Sequence, residues 1–246
     1  MTSTTRRNLN IAAILLVTFI LPGCAHRAAE NSKVAVERPV VKKIALVPVM
    51  EPSRFAIENR GGPLNFLGPA GYAIKKGIEE GRSNLLTAAL RSHSLKVGDE
   101  MTLALKEELA GKGYEVTVVS KVKRDEDEPD EFDYDSIETD ADAIVSARYK
   151  DAGLLSGFST MSYWPRLNVE VEMVSRIDEE ELYSESINYG ADGRKPDNDS
   201  IPSDPKYVFG DYEEAMARQL EIVESMHIGV RALAAQAAHQ IRESDK

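Results

Sequence analysis

The apolar positions of this chain change period several times, and each change marks an element. Lys42-Lys43 leads into Ile44-Ala45-Leu46-Val47-Pro48-Val49, a β-branched run too short for a helix. It predicts a buried strand that ends near Pro48. From 51 to 81 no period survives, because Gly61, Gly62, Pro63, Gly68, Pro69, Gly71, Gly77 and Gly81 interrupt it. That stretch is expected to be irregular, with an apolar centre at Leu64, Phe66, Leu67, Ala70, Tyr72, Ala73 and Ile74. A short helix is expected over 83–92. Val97, Met101, Leu105 and Leu109 recur every fourth residue and predict a helix over 99–110, capped by Asp99 and stopped by Gly111 and Gly113. Residues 114–119 read as a strand, and strand–helix–strand suggests a parallel pair.

Further on, a short helix over 135–139 leads to a strand over 141–149. Residues 153–165 are apolar and aromatic and hold the only tryptophan, Trp164; they read as a hairpin tip or an exposed contact loop. Leu167, Val169, Val171 and Met173 alternate with Asn168, Glu170 and Glu172, which predicts a half-buried strand. Residues 182–189 return antiparallel. After a polar loop, Tyr212, Met216, Leu220, Val223, Met226, Val230, Leu233, Ala237 and Ile241 form one helical stripe. Asp211 caps it, and Gly229 is the expected place for a split or bend. The stripe fits packing on the sheet or a coiled-coil seam. The sum is an α/β fold: a mixed central sheet of about five strands, helices mainly on one face, and a long C-terminal helix.

The first residues follow a different logic. A basic pair, Arg6-Arg7, precedes a mostly apolar run over 9–21 and then Leu21-Pro22-Gly23-Cys24. That order reads as a secretory leader. The run is short for a membrane span of roughly 20 residues. Leu21 to Cys24 resembles the lipobox of bacterial lipoproteins. The resemblance implies cleavage before Cys24, acyl chains such as palmitate on that residue, and membrane attachment through lipid. Ala25, where an Asp would resemble an inner-membrane retention signal, implies the outer membrane with the protein facing the periplasm. The expected organisation is a leader over 1–23, a lipidated N-terminus and flexible tether over 24–41, and one periplasmic domain over 42–246.

Composition agrees. The hydrophobic share of 42% supports a core without disulfides, and Cys24 is the only cysteine. Loss of Arg6 and Arg7 with the leader takes the net charge from −11 to about −13. Such a surface argues against nucleic acid as a partner.

Catalytic patterns are absent from the sequence. There are four histidines, and His227 and His239 stand twelve residues apart rather than at the i, i+4 spacing of zinc peptidases. No H-E-x-x-H, G-x-S-x-G or phosphate-cradling glycine motif occurs. The acidic run 125–131 lacks the glycine turn of a calcium loop and reads as solvated. The expectation is a non-catalytic protein with no cofactor and no metal.

The order of elements (I-A-L-V-P-V, an L-x-x-x-L helix, G-Y-E-V-T-V-V, A-D-A-I-V-S-A-R-Y, an alternating hairpin, a closing helix) resembles the periplasmic α/β domain of outer-membrane lipoproteins such as LpoB and CsgG, and the N-terminal domain of TolB. Together with the anchor, this implies a lipoprotein that binds or regulates an envelope protein complex. The residues expected to meet the partner are Leu64, Phe66, Leu67 and Tyr72 in one apolar segment, and Phe158, Tyr163 and Trp164 in the other. An oligomeric secretion or channel subunit, and a cell-wall hydrolase or carbohydrate-binding module, remain as alternatives.

Overall fold

Ile44, Ala45 and Leu46 are almost wholly buried, as a strand covered on both faces must be. They form strand β1 (Lys43–Leu46), which lies between β3 (Glu115–Val118) and β4 (Ala143–Ser156), parallel to both. The computed structural model describes residues 40–124, 132–157, 162–190 and 200–245, within a unit that runs from Arg38 to Lys246. From β4 the sheet continues antiparallel through β5 (Tyr163–Ser175) and β6 (Glu181–Tyr189). Two residues of β7 (Ser200–Ile201) follow, parallel to β6. The seventh strand, β2 (Ala56–Asn59), pairs parallel with the far half of β4. The fold is the expected mixed α/β sheet. Its two unforeseen strands are four and two residues long, too short to show a period.

Three helices cover one face: α1 (Gly68–Ser92), α2 (Val97–Gly111) and α4 (Gln219–Ser244), with the short α3 (Tyr212–Ala217) before the last. Leu86 and Leu90 of α1, Met101 and Leu105 of α2, and Met226, Val230 and Leu233 of α4 share one apolar cluster with Val169, Val171 and Ile187 of the sheet. On the other face Ala45, Val47 and Ile144 meet Ile137, Phe132 and Tyr134 from the connection before β4. The alternation along β5 is complete: Leu167, Val169, Val171 and Met173 are buried, with Asn168, Glu170 and Glu172 half-buried on the opposite side.

Several expectations are corrected. Residues 68–92 are one helix, not an irregular stretch followed by a short helix. A glycine inside a helix costs only about 1 kcal/mol relative to alanine, and tertiary bonds exceed that. The segment 153–165 is not mainly a loop, because β4 runs to Ser156 and β5 begins at Tyr163, with a bulge between Tyr149 and Asp151. The cap of α2 is not Asp99: the carboxylate of Glu51 accepts from the amides of Gly98 and Asp99 at 2.8 and 3.2 Å. Asp211 caps α3 as expected, accepting from the Glu214 amide at 2.8 Å. The C-terminal helical stretch divides at Arg218 rather than Gly229. There the Arg218 guanidinium donates to the carbonyl of Lys206 at 2.8 Å and to Glu214 at 2.6 Å, and lies over the Phe209 ring. Gly229 instead packs against the Tyr189 ring, to which a β-carbon would come within 2.5 Å. The stripe's fate is packing on α2 and the sheet, with Leu220 left exposed past the break.

The bonds that hold α1 are side chain to backbone. The amides of Phe55, Ile57 and Asn59, on the edge of β2 away from β4, donate to Thr87 Oγ1, Ser83 Oγ and Glu79 Oε1 at 2.9, 2.8 and 2.8 Å. Two residues of strand advance about 6.6 Å and four residues of helix about 6.0 Å, so alternate strand amides match every fourth helix side chain. The helix replaces a neighbouring strand. Removing the Ser83 hydroxyl leaves a buried amide unpaired, so Ser83→Ala should lower unfolding free energy by about 1–3 kcal/mol. Gly81→Ala, where a β-carbon meets nothing within 4 Å, should raise it by up to about 1 kcal/mol. Urea denaturation of the two variants checks this opposition of sign between positions two residues apart.

Candidate functional site

Bonding to β2 ends at Glu79, but α1 extends toward its N-terminus for eleven more residues, 68–78. At 1.5 Å per residue this part projects about 16 Å beyond the strand. All of it is exposed except Gly71 and the half-buried Lys75. A short 3-10 turn, Pro63–Leu67, folds back onto it. Gly71 permits that return, because a β-carbon there would stand 2.1 Å from the Leu64 carbonyl oxygen. The turn and helix expose Phe66 (90%), Leu67 (61%), Tyr72 (65%), Ile74 (53%), Ile78 (45%) and Leu85 (61%).

Most of these residues share one side. At 100° per residue, Leu67, Ala70, Ile74, Ile78, Gly81, Leu85 and Ala88 fall within about 40° of one line along α1. Ser83 and Thr87 lie nine residues after Ile74 and Ile78, half a turn away. The face toward the strand is thus lined with polar donors and acceptors, and the face toward solvent is apolar.

Of the residues singled out from the sequence, Phe66 and Leu67 are exposed at this end and Leu64 is half-buried, whereas Tyr72, also exposed, stands about 160° around the helix from the stripe. Ile74 and Leu85 complete the stripe with Ile78; their three-and-four spacing was visible in the sequence beneath the glycines. The second group does not form a surface. Tyr163 is not exposed but 1% accessible in the core, because the β5 alternation turns it inward, and Trp164 is half-buried on the opposite side of the strand. Phe158 and Cys24 lie outside the described residues.

A second group of polar side chains sits on the sheet face away from the helices. Tyr134, Ser146, Arg148, Glu170 and Glu172 line a cleft of about 240 Å³. Tyr134 donates to Glu172 at 3.1 Å, and burial holds its phenol above the usual range. Burial alone would raise Glu170, but hydrogen bonds from Lys150 and Arg148, and their charges, outweigh it and hold the carboxyl below the usual range. Two neighbouring cations favour the ionised form of this carboxylate. Among the described residues no group of three His, Cys, Asp or Glu is placed to hold a metal ion, and no helix is long and apolar enough to cross a membrane.

The chain enters the domain at the other end of β4. Asp142 accepts from the amides of Lys42 and Lys43, both at 2.8 Å, and these bonds hold its carboxyl below the usual range. Ile44 pairs with Ala143, whereas Asn59 pairs with Ser156. The entry point and the Phe66 tip are therefore separated by most of β4, about 40 Å.

No family model matches this chain, and no curated protein does. Solved structures with some likeness include protein XCC0632 from Xanthomonas campestris, with a TM-score of 0.41, 8% identity, and coverage of 84% of this chain and 87% of that one. The PelC dodecamer from Paraburkholderia phytofirmans has a TM-score of 0.32 at 9% identity, over 80% of this chain and 89% of that one. Lipoprotein GNA1162 from Neisseria meningitidis has a TM-score of 0.28 at 12% identity, over 60% of this chain and 81% of that one. Likenesses this weak establish neither a family nor a function.

The Asp142 bonds set a pH dependence. A carboxyl whose folded pKa is lowered stabilises the fold fully above its unfolded value, near 3.8, and the gain is lost as pH falls through the folded value. Asp142→Ala should lower stability at pH 7, and its deficit should shrink as pH falls from about 4 toward 2, read from denaturation midpoints across that range.

Proposed function

We propose that this protein is a membrane-anchored envelope lipoprotein that works by binding another protein, not by catalysis, and that the outer face of α1 is its docking surface. The observation that carries the reading is the inversion on α1, with polar residues toward β2 and Phe66, Leu67, Ile74, Ile78 and Leu85 toward solvent. The residues projecting past β2 reinforce it. A helix end of three turns containing Gly71 and Gly77 has little stability in water on its own, and a partner supplies the missing burial.

The anchor fits this reading. Cleavage before Cys24 leaves sixteen residues between the lipid and Val40, a tether of at most about 55 Å. In this reading the tether leads into Lys42 and Lys43, whose amides donate to the Asp142 carboxylate. Acyl chains provide membrane affinity without a charged surface, as the acidic composition requires.

Two variants of the full chain test this. Cys24→Ala should move the protein from the membrane to the soluble fraction. Phe66→Asp combined with Ile74→Asp should leave the circular dichroism spectrum and denaturation midpoint close to the parent's, since exposed substitutions change stability by about 0.5 kcal/mol or less. The same pair should abolish co-purification of the bound protein after detergent extraction. Retained co-purification, with retained envelope integrity in cells, would remove the outer α1 face from the function.

A further inference from the structure

We propose that α1 is divided at Glu79 into two units of different stability: residues 79–92 belong to the cooperative fold of the domain, and residues 68–78, with the 3-10 turn over 63–67, form an arm that opens and closes on its own. The division concerns how the helix is held, and it stands whether or not the outer face docks a partner.

The C-terminal unit is tied down twice. Glu79, Ser83 and Thr87 accept the amides of Asn59, Ile57 and Phe55. Leu86 and Leu90 are wholly buried in the core. Opening this unit breaks the strand-edge bonds and wets core side chains, so it demands unfolding on the scale of the whole domain.

The arm lacks both ties. Of residues 68–78 only Gly71 is buried. Tyr72, Ile74 and Ile78 are already exposed, so melting the arm gives up little apolar burial. Its own helix hydrogen bonds are what keep it closed, and a helix this short is marginal by itself. Local chemistry weakens it further. Gly68, Gly71 and Gly77 are poor helix formers, and Ile74 and Ile78 are β-branched. Leu67 at the N-cap offers no side-chain cap, and the first turn carries no acid. The turn over 63–67 packs on Gly71 and therefore moves with the arm. Lys75 and Glu79 pair across the boundary at 3.9 Å, a weak i, i+4 contact. The arm is thus a conditional helix, and a ligand of its closed form has its affinity reduced by the fraction of chains that are open.

Hydrogen exchange of the full chain in lipid nanodiscs tests the division. Tyr72 is the first amide of α1 with a helical carbonyl four residues behind it, so 72–78 reports the arm and 83–92 the anchored unit. Amides 72–78 should exchange on the order of a hundredfold or more faster than 83–92. Ser83→Ala should speed 83–92 about fivefold or more and leave 72–78 unchanged, because the bond it removes is intact in both states of the arm. Gly77→Ala, where a β-carbon meets nothing within 4 Å, should slow 72–78 by up to about fivefold.

Equal rates for the two groups in the parent, or a Ser83→Ala chain in which both speed up by the same factor, would make α1 one cooperative helix and overturn the division. No slowing of 72–78 in the Gly77→Ala chain would overturn helix closure as the event that protects the arm, and the proposal with it.

Discussion

Three hydrogen bonds set the character of this molecule. The amides of Phe55, just before β2, and of Ile57 and Asn59 within it donate to Thr87, Ser83 and Glu79, side chains spaced four apart on α1. The bonds satisfy a strand edge that β4 leaves open, and they fix the rotation of the helix. Once polar side chains are committed to the strand side, the apolar residues of the first half of α1 have nowhere to go but outward. Leu86 and Leu90, further along, still reach the core and hold the C-terminal half down. The exposed stripe is thus a consequence of how the edge is closed.

β4 gives the molecule its length. Its first half pairs with β1 and its second with β2, both on the same edge, and between them the chain leaves the sheet so that Glu51 can cap α2. Lys43 and the tip of α1 consequently lie near opposite ends of one strand. The charged group around Glu170 plays a different part. Arg148 and Lys150 keep that carboxylate ionised, and Tyr134 ties the connection before β4 to the open sheet face through Glu172.

Much of the scaffold was legible because its signals are periodic. The alternation from Leu167 to Met173, the four-residue spacing from Val97 to Leu109 and the buried run at Ile44 each predict their element and its core face. The C-terminal stripe also predicts its helix, but not the break at Arg218, which depends on carbonyls of Lys206 and Val208 that only the folded chain brings near. The Glu51 cap was equally hidden, since its partners are 47 and 48 residues away. The site was half legible. Phe66, Leu67 and Tyr72 stand out as apolar residues in a glycine-rich stretch, and the glycines conceal the helix that arranges them. Tyr163 drew attention for its aromatic ring, whereas strand alternation consigns it to the core.

By itself the sequence determined the fold class and most of the core. Tertiary structure decided which side of α1 faces solvent. Hydrophobic periodicity places the apolar side of a helix against the protein, and that rule holds where the neighbour is another apolar surface. Along the β2 edge the neighbour is a row of unpaired amides, and an unpaired buried amide is costlier than an exposed isoleucine. The polar side of α1 therefore turns inward, and the exposed face is the side that the pattern alone would have buried.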